Sequence, residues 1–244
     1  MAETIRQRLQ QAANSLLGAA GLHLVRRERA FDMDGLLARA AARGRQPGTV
    51  IDIGASDGIW SLRAKRHFPR AAFLLFEPLA ERQDALARLR VRHGFEIVPA
   101  VAGSQPGTVA FSVDPALDGS GVATMSAPGT RQVPVETVDA AVAARGLAGP
   151  FVLKLDTHGY EIPVLEGAAT VLGRTDLLII EAYNFTLTPG CLRFHELCAW
   201  LEARGFRCCD LADPMRRPRD GALWQMDLAF APVTSPLFKE NSYR

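Results

Sequence analysis

The residues best suited to chemistry are acids that close apolar runs. Val50-Ile51-Asp52-Ile53 leads into Gly54-Ala55-Ser56-Asp57-Gly58, a strand running into a glycine-bearing turn that lets a ligand approach the backbone closely. Phe73-Leu74-Leu75-Phe76-Glu77 repeats the form, and its closing carboxylate falls where a doubly wound sheet places a ribose-binding group. Turn and acid together point to a nucleoside-bearing cofactor. Further on, Phe151-Val152-Leu153-Lys154-Leu155-Asp156 runs into Thr157-His158-Gly159-Tyr160-Glu161, and Ile179-Ile180-Glu181 closes another apolar run. Asp156, His158 and Glu181 thus offer two carboxylates and an imidazole. An imidazole can accept a proton near neutral pH, which makes His158 the sharpest candidate for a general base.

The spacing of the glycines narrows the cofactor. A pyrophosphate-binding turn wants glycine at its first, third and sixth positions. Here Gly54 and Gly58 are present, Ser56 takes the third place and Ile59 the sixth. Pro163 is tolerated only in the first turn of a helix, so a helix starts near Gly159 or Tyr160 and Asp156 to His158 lie in a loop. Loops at the carboxyl ends of strands line the ligand crevice of an open α/β sheet, so this loop is expected to face the same pocket as Gly54 and Glu77.

The elements that position these groups alternate along the chain. Strands are expected near 49–53, 72–77, 95–99, 151–156, 177–182, 206–211 and 223–231, with helices near 58–67, 79–92, 137–146, 161–172 and 191–204. That order predicts an α/β, doubly wound, Rossmann-like sheet with right-handed crossovers. Before it, Ile5, Leu9, Ala12, Ala13, Leu16, Leu17 and Ala20 share one helical face, and a second helix is expected over 31–43. Residues 1–46 therefore read as an N-terminal helical extension and 47–244 as one domain. The extension could cover the pocket, pair two chains as a homodimer, or pack on the sheet edge. Residues 113–131, rich in Gly, Ser, Pro and Asp, read as a long loop that, with 184–195, shapes an acceptor pocket.

Composition bounds the setting. The 244 residues are 48% hydrophobic and 22% charged, enough for one domain with a substantial core. Lys plus Arg number 28 against 26 Asp plus Glu, and a net charge of +2 makes no case for nucleic acid or an anionic membrane. Cys191, Cys198, Cys208 and Cys209 show no zinc-ligand spacing and read as packed thiols of a cytoplasmic protein. The apolar run from Leu16 to Val25 is broken by Gly18, Gly21 and His23 and suits neither a spanning helix nor a signal peptide.

Asp52 to Gly58 resembles the first motif of S-adenosylmethionine (SAM) methyltransferases, with serine for the middle glycine. Joined by Phe76-Glu77-Pro78, Val135-Glu136-Thr137-Val138-Asp139, Lys154 to Glu161 and Leu165-Glu166-Gly167-Ala168, it resembles the FkbM-type methyltransferases from about Thr49 to Pro232. His158 departs from the glutamate usual in that family. The resemblance implies a seven-stranded methyltransferase sheet with its last strand antiparallel, SAM as donor, and a hydroxyl oxygen of a small natural product, sugar or lipid-like molecule as acceptor.

It places Gly54, Ala55, Ser56 and Gly58 around the methionine portion, Glu77 with Pro78 at the ribose, and Ala100 and Val101 against the adenine. Asp52 is expected near the methionine amino group or as a local stabiliser of the turn. Asp156 contacts the donor's amino group or the acceptor, or caps the following helix. Lys154 neutralises a neighbouring acid, and Glu161 acts on the helix dipole. Asp156 with Glu181 could hold Mg²⁺, but two acids without a third ligand make a poor site, and no metal is assigned. The rivals are a SAM-binding protein without turnover and a nicotinamide-dependent oxidoreductase. A nucleic-acid methyltransferase is disfavoured by the missing basic surface.

Overall fold

A computed structural model of the chain describes residues 12–22, 25, 31–123 and 129–243. Its strands are, in chain order, β1 (Thr49–Ile53), β2 (Ala72–Phe76), β3 (Glu96–Val98), β4 (Val101–Ala102), β5 (Gly107–Ser112), β6 (Gly121–Val122), β7 (Thr130–Glu136), β8 (Phe151–Leu155), β9 (Thr175–Tyr183), β10 (Phe206–Arg216) and β11 (Leu223–Pro232). Its α-helices are α1 (Met33–Ala42), α2 (Ile59–His67), α3 (Ala80–His93), α4 (Val138–Ala144), α5 (Glu161–Glu166), α6 (Ala169–Leu172) and α7 (Phe194–Glu202).

The apolar runs build a seven-stranded sheet in the order β10-β11-β9-β8-β1-β2-β3. β1 pairs parallel with β2 and β8, β8 parallel with β9, and β11 lies antiparallel between β9 and β10. Successive residues of a strand point to opposite faces, so a strand covered on both sides reads as an unbroken apolar run. Ile51, Ile53, Leu74, Phe76, Leu153, Leu155, Leu178 and Ile180 accordingly face one core with buried residues of α4 to α7. Val50, Phe73, Leu75, Val152, Leu177 and Ile179 face the other with buried residues of α1 to α3.

Strand order reverses between β1 and β8: β2 and β3 follow β1 outward, while β9, β11 and β10 lie beyond β8. A crevice forms outside the carboxyl ends of strands at such a switch point. The turn at Gly54 and the loop at Asp156 leave β1 and β8 at that place.

Four expectations need adjusting. Residues 113–131 are not simply a loop, because β6 and the start of β7 lie there, and they join a second sheet in the order β4-β7-β5-β6. That small sheet has its own apolar centre of Leu79, Val101, Phe111 and Val133. The helix expected over 161–172 breaks at Gly167 into α5 and α6. The extension is partly integrated: α1, capped by Asp32 accepting from the Gly35 N–H at 2.6 Å, buries Met33, Leu36, Leu37 and Ala40 in the core. Residues 12–17 are helical, yet Leu16 is 81% exposed, and Ile5 and Leu9 lie outside the described residues. All four cysteines are free thiols, but Cys208 is exposed rather than packed. No helix among the described residues is long and apolar enough to cross a membrane.

Candidate active site

The turn after β1 and the loop after β8 fit against one another at the backbone. Gly54 has φ 76, and a Cβ there would stand 2.0 Å from the carbonyl oxygen of Asp156. Only glycine meets both demands, a left-handed backbone and a neighbour where a side chain would begin. Ser56 (φ 49) and His158 (φ 52) are also left-handed. That region is sparsely populated by residues with a Cβ, and such strain gathers at ligand-binding loops.

Glu77 closes β2 and is 5% exposed. Its Oε2 accepts from the Ser56 N–H at 2.8 Å and its Oε1 from the Leu79 N–H at 2.9 Å. Burial pushes its pKa above the ordinary carboxylate value, while the two backbone donors pull it back. The acid is thereby fixed in one orientation, with lone pairs to spare for a ligand's hydroxyls.

Under α2, the side chains of Asp52 and Lys154 meet as cross-strand partners of β1 and β8, with Nζ 3.6 Å from Asp52 Oδ1 and 2.9 Å from Asp156 Oδ2. Burial depresses the Lys154 pKa, but Asp156 and Asp52 outweigh it and hold the ammonium above its ordinary value. Burial likewise raises the pKa of Asp156, and Lys154 and His158 overcome it, so Asp156 sits below the ordinary carboxylate range. Asp52 is fully buried, accepts from Ser61 Oγ at 2.7 Å, and is raised by burial.

His158 brings the last groups together. Its Nδ1 lies 3.0 Å from the Ser120 carbonyl oxygen, which can only accept, so Nδ1 carries the hydrogen. The other nitrogen, Nε2, lies 3.5 Å from Asp156 Oδ1 and 3.6 Å from Glu181 Oε2. Glu181 also accepts hydrogen bonds from Tyr183 Oη and Gln225 Nε2. Burial, followed by the charge of Asp156, pushes the Glu181 pKa up to about 9. Across the strand pair, Asp227 faces Glu181, and burial raises it to about 7.

Several of these groups line a cavity of about 430 Å³. Its walls include Gly54, Ser56, Glu77, Pro78, Ala100 and Val101, the groups expected at the donor, together with Asp156, His158 and Glu181. The profile of the methyltransferase FkbM domain matches residues 52–208. The chain belongs to the FkbM methyltransferase family.

A methyltransferase FkbM from Methylobacillus flagellatus KT has a similar crystal structure, with a TM-score of 0.50 at 15% identity. The match covers 74% of this chain and 43% of that one, so the chain spans less than half of that protein's length. A putative tRNA (m1A22) methyltransferase of Streptococcus pneumoniae, solved with SAM, matches at TM-score 0.45 and 11% identity over 81% of this chain and 72% of that one. The 1,6-didemethyltoxoflavin-N1-methyltransferase of Burkholderia thailandensis matches at 0.46 and 13% over 82% and 79%. No curated protein matches the sequence.

Within this member of the FkbM methyltransferase family, three expected donor residues do not line the cavity: Asp52 is buried beneath α2, and Ala55 and Gly58 support the turn from behind. Residues 184–195 are also absent from the lining, whereas the small sheet and its connections supply Phe111, Leu117, Ser120 and Val122. Glu161 is buried and accepts from the Gly159 N–H at 2.9 Å and Thr157 Oγ1 at 3.0 Å, so it braces the loop that carries His158. Gln225, Tyr183 and the Ser120 carbonyl were not anticipated. A carbonyl in the connection before β6 and a glutamine in β11 carry no sequence signal of their own, since tertiary pairing alone brings them to His158 and Glu181.

Proposed function

We propose that the protein transfers the methyl group of SAM to a hydroxyl oxygen of a small-molecule acceptor. The observation that carries this reading is the orientation of His158, whose Nδ1 is committed to the Ser120 carbonyl while Nε2 is turned toward Asp156 and Glu181 at the cavity wall. On this reading Gly54 and Ser56 lie along the methionine portion, Glu77 accepts from the ribose hydroxyls next to Pro78, and Ala100 and Val101 lie against the adenine. Asp52 acts at one remove, by holding Lys154 and through it Asp156.

The chemistry needs little from the protein beyond alignment. The acceptor oxygen attacks the methyl carbon in line with the sulfonium, the C–O bond forms as the C–S bond breaks, and the electron pair leaves on the sulfur of S-adenosylhomocysteine. Positioning of this kind lowers a barrier by ~7 to 11 kcal/mol when the bound geometry is near attack. The hydroxyl proton passes to Nε2 of His158, and the resulting imidazolium is stabilised by Asp156. Proton removal by a positioned group contributes about 10²- to 10⁴-fold.

The test is release of S-adenosylhomocysteine and a mass gain of one methyl across a panel of alcohols, phenols, sugars and lipid-like hydroxy compounds. Acceptor-dependent release supports the reading. SAM binding with no turnover on any member would assign the chain to a regulatory role, and methylation confined to amines would move the chemistry from oxygen to nitrogen.

A further inference from the structure

The geometry points to a site for one divalent transition-metal ion formed by Asp156, His158 and Glu181, facing the cavity where the acceptor is placed. Each residue offers one donor atom, and the three atoms lie within 4.8 Å of one another. Two of the separations are 3.5 Å and 3.6 Å, both measured from His158 Nε2. Ligands about 2.1 Å from a common ion stand roughly 3.0 Å apart at right angles and roughly 3.4 Å apart at tetrahedral angles, so the two separations from His158 Nε2 need only a small inward shift.

What separates this trio from a chance cluster is that each donor is held from its far side. Ligating imidazoles donate their second N–H to a carbonyl or carboxylate, and ligating carboxylates are themselves hydrogen-bonded. His158 directs Nδ1–H to the Ser120 carbonyl and leaves Nε2 as the free donor. Asp156 gives Oδ2 to Lys154 at 2.9 Å and turns Oδ1 toward His158. Glu181 is gripped by Gln225 at Oε1 and by Tyr183 at Oε2. These supports come from separate parts of the fold: the connection before β6, strand β8, strand β9 and strand β11.

The donor set also indicates which ion. Magnesium prefers oxygen ligands and keeps several waters, whereas an imidazole with carboxylates suits manganese, iron, cobalt or zinc. The third ligand missing from the pairing of Asp156 with Glu181 is supplied by His158. Three protein ligands leave coordination positions open to the cavity, the arrangement of a catalytic rather than a structural metal. The use of the ion rests on the methyl transfer proposed above, but its binding does not. In the loaded protein the Nε2 lone pair holds the ion. The acceptor hydroxyl then binds the ion, gives its proton to solvent water, and attacks the methyl carbon as an alkoxide while the C–S bond breaks.

The test is titration of chelator-treated protein with Co²⁺, followed by its visible absorption, and with Mn²⁺, followed by electron paramagnetic resonance, both with S-adenosylhomocysteine present. One ion per chain is expected. His158→Ala and Glu181→Gln are each expected to weaken it by about tenfold or more, with S-adenosylhomocysteine affinity kept within a few fold. Cys208→Ser is expected to retain the ion and serves as the control for thiol ligation. No stoichiometric ion, or one that both cavity variants retain or that Cys208→Ser loses, overturns the site. Ion binding without methylation of any hydroxyl leaves the site standing and defeats the function proposed above. Methylation by a protein that binds no ion does the reverse.

Discussion

The backbone N–H of Ser56 donates to Oε2 of Glu77 at 2.8 Å, so the acid at the end of β2 organises the turn that follows β1. Glu77 therefore has two jobs, and two substitutions separate them. Glu77→Gln keeps an acceptor for one backbone donor while removing the charge offered to a ribose. It is expected to weaken SAM binding about tenfold or more, since hydrogen bonds to charged groups contribute about 1.5 to 3 kcal/mol. Glu77→Ala also strands the N–H groups of Ser56 and Leu79, and is expected to lower stability by about 1 to 3 kcal/mol. Calorimetric titration and denaturant unfolding of both variants check this, and equal effects in the two would remove the distinction.

Gly54→Ala places a Cβ against the Asp156 carbonyl oxygen, in a backbone conformation that costs an L-residue about 1 to 2 kcal/mol even in open space. The turn and the β8 loop are expected to move apart, with lost stability exceeding that figure and SAM affinity lowered as well. Denaturant melts give the first quantity and titration the second. A variant with unchanged values of both would show that the two loops have slack between them.

Much of this arrangement is legible in the sequence. The runs at Val50, Phe73, Phe151 and Leu177 announce themselves because strands buried on both faces have no polar alternation to dilute them. The Asp156 loop is legible because Pro163 fixes where a helix can begin. The small sheet is not: β4 and β6 are two residues each, and β5 and β7 bury only Phe111 and Val133, too little for a period of two to stand out. The contribution of Ser120 is a carbonyl, which every residue has. Gln225 meets Glu181 only because β11 inserts beside β9, where Gln225 falls opposite Tyr183.

Lys154 is the countercharge for the buried carboxylate of Asp52 and the half-buried one of Asp156. Lys154→Met is expected to cost about 3 to 5 kcal/mol, the usual penalty for leaving a buried charge unpaired. Removing both partners of a pair is cheaper, so Asp52→Asn combined with Lys154→Met should recover part of that loss. Urea unfolding of the single and double variants measures it; additive losses would show that Asp52 and Lys154 do not interact.

Asp227 gives a pH dependence of definite sign. Its folded-state pKa is raised from 3.8 to about 7, by burial first and then by Asp156 and Asp213, with Lys154 and Arg63 opposing. Between those values this group binds a proton in the folded state more than in the unfolded one, so its contribution to stability falls as pH rises across the window and levels off above it. Asp227→Asn is expected to flatten part of this slope and to be more stable than the natural protein at pH 8. Thermal melts from pH 4 to 8 of the two proteins provide the comparison, and parallel curves would place Asp227 in contact with solvent.

If His158 takes the acceptor proton as proposed, His158→Ala is expected to cut turnover by about 100-fold or more while SAM affinity changes little. Single-turnover kinetics with an accepted hydroxyl substrate separates the two quantities. Undiminished turnover would return proton removal to Asp156 or to water.

The most direct measurement is calorimetric titration of the natural protein with SAM and, separately, with NAD⁺. The cavity between the Gly54 turn, Glu77 and the β8 loop predicts one SAM per chain, a marked loss of that heat in Glu77→Gln, and no binding of the dinucleotide. Saturable binding of NAD⁺ with none of SAM would contradict the account.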